Sequence, residues 1–89
     1  MAEIIGKIIL IGEVESVGSN GFKKRLVVVE TSEQYSQKIA VDFIQDKTNL
    51  LNQFRLGNDV IISTNIRGSE YNGKYFVNLQ GWKIQNMEV

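Results

Sequence analysis

The sequence predicts an all-β domain: five strands closed into a small barrel, with one short α-helix between the third and fourth strands. Three observations carry this reading. Segments rich in isoleucine and valine run through most of the chain with the two-residue period of strands. The period becomes helical only once, between Gln45 and Phe54. The first apolar segment is long and broken by Gly6 and Gly12, so it can bend and pair on both sides.

Residues 3–17 form the first strand, with Ile4, Ile5, Ile8, Ile9, Leu10, Ile11, Val14 and Val17 as its apolar positions. Gly18-Ser19-Asn20-Gly21 is a loop. Residues 22–31 are the second strand, Ser32-Glu33-Gln34 turns the chain, and residues 35–44 are the third, with Ile39, Val41 and Phe43 on one face. In the helical segment Leu50, Leu51 and Phe54 make one stripe. Asp46 or Thr48 is placed to cap its start and Gly57 its end. The fourth strand is Val60 to Arg67, with Val60, Ile62, Thr64 and Ile66 inward. The fifth runs from Lys74 to about Gln85. Between them Asn72-Gly73 supplies the two residues that a type I′ turn needs at φ > 0. Three strands, a helix and two strands is the order of the OB-fold. An open meander with a helix on one face shares the order, but the long bent first strand favours the barrel.

The 89 residues make a single domain, 1–89, that buries roughly 60–65% of its unfolded surface. At 43% hydrophobic and 22% charged the chain is an ordinary globular one. Cysteine and histidine are both absent, which removes thiolate metal sites, Ser-His and Cys-His nucleophile pairs, and the commonest general base. Glu13 and Glu15 share a strand face and could hold a divalent cation, but paired carboxylates there read more simply as a solvated edge. Neither a Walker A motif nor GxGxxG occurs. The expectation is a non-enzyme with no cofactor and no metal. The longest apolar run near the N-terminus, Ile8-Ile9-Leu10-Ile11, is too short for a membrane span or signal, so the expected location is cytoplasmic, the host cytoplasm for a phage protein.

Binding has more to work with. OB-folds usually hold ligands across strands 2 and 3, between the loops joining strands 1–2 and 4–5. Here the densest cationic run, Lys23-Lys24-Arg25, opens strand 2 beside Phe22. Lys38 lies on strand 3, and Arg67, Tyr71, Lys74, Tyr75, Phe76 and Trp82 belong to the 4–5 hairpin and the strand that follows it. With Lys83, seven of the ten basic residues would gather on one side, so the zero net charge would hide a polar distribution, with Glu3, Glu13, Glu15 and Asp59 elsewhere. Cations that track phosphates and rings that stack bases suit single-stranded DNA, or RNA, with little sequence preference. Alternation puts Lys24 on the side of Phe22 and Leu26, and Lys23 and Arg25 on the side of Val27 and Val29. Tyr75 and Phe76 face opposite ways, so one of them at most enters the groove. Phe43, Phe54 and Trp82 read better as core than as stacking platforms. The competing class is a protein-interaction or assembly module on the same fold without nucleic acid.

Ile8 to Ile11, Leu26 to Val29 and Val60 to Ile62 are apolar on both faces, and a barrel has one interior. The second surface implies a homo-oligomer, a dimer or a tetramer.

Finally, Phe22-Lys23-Lys24-Arg25 leading to Val28-Val29-Glu30-Thr31, then Tyr35, Asp46-Lys47, Leu56-Gly57-Asn58-Asp59-Val60, Arg67, Glu70-Tyr71-Asn72-Gly73-Lys74-Tyr75-Phe76, Asn78-Leu79 and Trp82 resemble a small single-domain family of bacteria and their phages, catalogued as a domain of unknown function. The resemblance covers nearly the whole chain. That family is similar to OB-fold single-stranded DNA-binding proteins, which are often oligomeric, and the resemblance implies a role in DNA replication, recombination or repair. Bacterial proteins of that kind usually carry an acidic C-terminal tail that recruits partners. The sequence here reaches Val89 soon after Trp82, so the expectation is a phage or accessory role without such recruitment.

Overall fold

A computed structural model describes residues 2–18 and 21–87; Ser19 and Asn20 of the first loop lie outside them, as does the side chain of Val17. Strands β1 (Ala2–Ile11), β2 (Glu15–Val17), β3 (Phe22–Thr31) and β4 (Lys38–Ile44) are followed by a helix, Gln45–Gln53, and by β5 (Asp59–Tyr71) and β6 (Lys74–Asn86). The sheet runs β1-β5-β6-β4-β3-β2, and the β1–β3 pairing closes it on itself. This is the OB-fold, with the predicted long first strand divided into β1 and β2 across Gly12–Val14.

Gly6 lets β1 pair on both sides. Gly6 pairs with Thr31 of β3 and with Val60 of β5, so β1 changes partners around it. A Cβ there would stand 2.6 Å from the Glu30 carbonyl oxygen, so only glycine lets the strands cross this closely. The bulge falls at Ile9, between Ile8↔Val29 and Leu10↔Val28, and leaves Ile9 and Leu10 both exposed.

Alternation fills the interior. Ile8, Val27, Val29, Val41, Phe43, Val60 and Ile62 are buried, and Leu51 joins them from the helix. Leu50 and Phe54 pack against this core as the predicted stripe requires. Thr64 is buried with them, and its hydroxyl donates to the Ala2 carbonyl at 2.9 Å.

Four expectations are corrected. The helix is 3₁₀ rather than α. Thr48, Asn49 and Asn52 are weak α-formers, and the Thr48 hydroxyl donates to the Gln45 carbonyl three residues back, which favours the tighter turn. Neither Asp46 nor Thr48 caps its start, and it ends at Gln53, ahead of Gly57, whose N–H donates to the Ile8 carbonyl instead. Tyr35 belongs to a turn before β4, not to a strand. Ile66 continues the inward alternation of β5, yet it is 62% exposed. From Asn65 to Asn78 every described residue is exposed, because β5 and β6 run on past the barrel as a two-stranded arm. The arm ends in the predicted I′-type turn, with Asn72 at φ 52° and Gly73 at φ 76°.

Candidate functional site

The site begins with the two sides of β3. Val27 and Val29 point into the barrel, so Phe22 and Lys24 point out. Lys24 meets Asp42 of β4 at 3.6 Å, a half-exposed pair worth about 0–1 kcal/mol. Phe22, Lys24, Asp42 and Ile44 form one wall of a groove of about 320 Å³, and Arg67, Asn78, Leu79 and Gln80 form the other. The sheet brings the walls together at the single parallel bridge between Asp42 and Gln80. Ile44 and Gln80 also line a second cavity of about 340 Å³, which continues the groove past Asn65 and Gly81 to Trp82 on one side and Gln45, Asp46 and Lys47 on the other.

The turn sets the register of the arm, and the register sorts its faces. Tyr71 pairs with Lys74, Ser69 with Phe76, Arg67 with Asn78 and Asn65 with Gln80. These residues share one face, since paired residues project to the same side and side chains alternate along each strand. Arg67 and Gln80 of that face line the groove, and Arg67 Nε donates to Gln80 Oε1 at 3.0 Å. Tyr71, Lys74 and Phe76 therefore extend the groove outward along the arm. The other face carries Ile66, Val77 and Tyr75, which are 62%, 72% and 79% exposed. Phe76, not Tyr75, shares the groove's side.

The remaining candidates lie elsewhere. Arg25 is turned to the barrel side: Nε donates to the Gly12 carbonyl at 2.8 Å, and one terminal nitrogen to the Thr48 carbonyl and Asn52 Oδ1. Its guanidinium ties the segment between β1 and β2 to the 3₁₀ helix. Lys23 is exposed on that same parity, and its backbone N–H donates to Gln45 Oε1. Lys38 is exposed on the outer face of β4, four residues and ~13 Å from Asp42. Trp82 is not core. Gly81 holds the inward position, where a Cβ would stand 2.5 Å from the Phe43 ring, and Trp82 beside it is 36% exposed at the groove's end. The groove is also less uniformly cationic than expected, since Asp42 and Asp46 line it. Asn65, Gln80 and Ile44 escaped the sequence reading, and Lys47 and Asn78 entered it only through the family resemblance, without a site role. Counting outward from Asn72-Gly73 would have put Asn78 opposite Arg67 and Gln80 opposite Asn65.

Residues 3–85 match the profile of a family described as a domain of unknown function, DUF3127. No curated protein matches the sequence. Among solved structures, the N-terminal domain of PriB protein from Thermoanaerobacter tencongensis, described as dimeric, is similar at a TM-score of 0.67 and 17% identity, covering 99% of this chain and 96% of that one. The second single-stranded DNA-binding protein (SSBb) of Mycobacterium smegmatis is similar at 0.63 and 13%, covering 97% and 84%. At these identities the likeness is one of fold.

Proposed function

The chain belongs to the DUF3127 family, and from that premise we propose that it is a non-enzymatic protein that binds single-stranded DNA along the groove and the arm. The observation that carries this is the convergence of Phe22, Lys24, Arg67 and Gln80 on one open groove, which the face bearing Tyr71, Lys74 and Phe76 prolongs. Lys24, Arg67 and Lys74 contact phosphates. Phe22, Phe76, Tyr71 and Trp82 stack bases, each worth about 1–3 kcal/mol. The fold shared with a protein named for single-stranded DNA binding supports the reading. A place in DNA replication, recombination or repair follows from such a ligand, and RNA is a second ligand to try.

The protein works as a homo-oligomer, a dimer or a tetramer. Ile5, Ile9 and Leu10 on β1 and Ile66, Tyr75 and Val77 on the arm leave apolar surface in water that a second copy would cover. The similar PriB domain is described as dimeric. The same surface favours the competing reading, an assembly module without nucleic acid. Among the described residues no helix is long and apolar enough to cross a membrane. A cytoplasmic location is part of the proposal, since a protein of this function works where the DNA is.

Trp82 is the only tryptophan and lines the groove, so its fluorescence reports occupancy. Titration with oligo-dT should quench or shift it, and affinity should fall roughly tenfold or more between about 50 and 200 mM salt. Absence of binding at low salt sinks the proposal and leaves the assembly reading. Affinity indifferent to salt removes the phosphate contacts.

A further inference from the structure

The two halves of the groove differ in chemistry. The half beside Phe22 carries Lys24 and Arg67, and its carboxylate, Asp42, is paired with Lys24. In the half beside Trp82 the charges of Asp46 and Lys47 oppose each other, and the wall is built of amides, Asn65, Gln80 and Gln45, over an apolar floor of Ile44 and Gly81. A carboxylate there opposes a phosphate, whereas a ring beside amides suits a base held by its edge. At about 340 Å³ this half reaches the lower range of small-ligand sites.

Two of the amides have their orientation fixed. Gln80 Oε1 accepts from Arg67 Nε, and Gln45 Oε1 accepts from the Lys23 backbone N–H at 3.1 Å. Each side chain then has its NH₂ to offer a ligand, while Asp46 offers an acceptor. Gln45 also stands at φ 52°, in the left-handed region that costs a non-glycine residue about 1–3 kcal/mol. The other described non-glycine residue at positive φ, Asn72, is explained by its turn. Gln45 turns the chain from β4 into the 3₁₀ helix, and it lines the cavity.

We propose, resting on the nucleic-acid reading above, that this half of the groove is a subsite for one pyrimidine base. The base stacks on Trp82, its two edge acceptors meet the NH₂ groups of Gln45 and Gln80, and its edge N–H donates to Asp46. Each pyrimidine presents two acceptors and one donor on that edge, with the donor between the acceptors in thymine and uracil and at one end in cytosine, so the fixed amides and carboxylate match one order better than the other. Guanine presents one acceptor and two donors, and adenine one of each. The groove is therefore sequence-tolerant where it stacks and base-selective at this end.

The test compares oligo-dT, oligo-dC and oligo-dA of equal length on the full chain, then on Asp46→Ala and Gln80→Glu, with circular dichroism melts to verify folding. The wild type should favour oligo-dT or oligo-dC, whichever edge order the site matches, over oligo-dA by about tenfold, the size of one good polar pairing. In each variant the ratio of pyrimidine to oligo-dA affinity should come within about twofold, whatever the change in overall affinity. Equal binding of all three oligomers by the wild type overturns the inference and leaves nucleic-acid binding intact. A preference that survives both variants also overturns it, because it then arises from stacking alone. Failure to bind any oligomer removes the nucleic-acid reading itself, and this inference with it.

Discussion

Strands β5 and β6 each live in two settings. In the barrel, β5 buries Val60, Ile62, Ser63 and Thr64, and β6 buries Gly81 under Phe43. In the arm the same ladder continues, yet nothing is buried from Asn65 to Asn78. The alternation of residue types hardly changes at the boundary: Ile66 follows Thr64 in phase, and Val77 precedes Leu79. What changes is the presence of a second layer. A two-stranded ribbon is marginal in water on its own, so the arm depends on the barrel's ladder and on its own turn. Its side chains contribute little to the core, and still they include Tyr71, Tyr75 and Phe76. Apolar rings kept where no packing requires them point to a ligand or a partner.

The most damaging way to probe this contrast is at the barrel's centre. Phe43 is fully buried and covers Gly81, so Phe43→Ala should cost about 3–5 kcal/mol in chemical denaturation. A comparable truncation on the arm should stay within about 0.5 kcal/mol. If an arm truncation destabilised the isolated protomer as much as Phe43→Ala, the division into a packed body and a free arm would be wrong.

The next largest effect separates neighbours on β3. Arg25 makes charge-assisted bonds to Gly12, Thr48 and Asn52, so Arg25→Ala should lower stability by about 1.5–3 kcal/mol. It should leave the salt dependence of oligo-dT binding unchanged. Lys24→Ala removes only a half-exposed ion pair, so stability should move by less than about 1 kcal/mol. The slope of log affinity against log salt should fall by about 0.7. Denaturation and salt titration of both variants check this, and the reverse pattern would exchange their roles.

The sequence exposes the barrel well, because its strands obey alternation and the glycine-broken first segment has to bend. It exposes the arm's turn equally well, because Asn72-Gly73 admits few alternatives. It conceals features set by three-dimensional partners. Arg25 looks like part of a cationic run until the 3₁₀ helix supplies acceptors for it. Trp82 looks like core until Gly81 takes the inward place, next to the register shift at Ser63/Thr64 that offsets the ladder. The helix reads as α because its apolar stripe is short enough to suit either winding. Of the candidate site, Phe22, Lys24, Arg67, Tyr71, Lys74 and Phe76 come to one side as the OB-fold analogy requires. The polar partners Asn78 and Gln80 emerge only from counting the ladder outward from the turn.

The finest test of the contrast lies within the arm, between adjacent residues. Phe76 shares its face with Arg67 and Asn78, and Tyr75 shares its face with Ile66 and Val77. Neither ring is buried, so neither substitution by Ala should change stability of the isolated protomer by more than about 0.5 kcal/mol. Phe76→Ala should weaken oligo-dT binding by about 1–3 kcal/mol, roughly five- to 150-fold, the loss of one stacked base. Tyr75→Ala should leave that affinity within about twofold for a fixed oligomeric state, and should instead shift sedimentation toward the monomer. One measurement therefore reads the ligand face and the other the assembly face. Equal losses of DNA affinity from the two substitutions would mean that the strand wraps the arm on both sides, and the apolar face would then have no claim to a second copy.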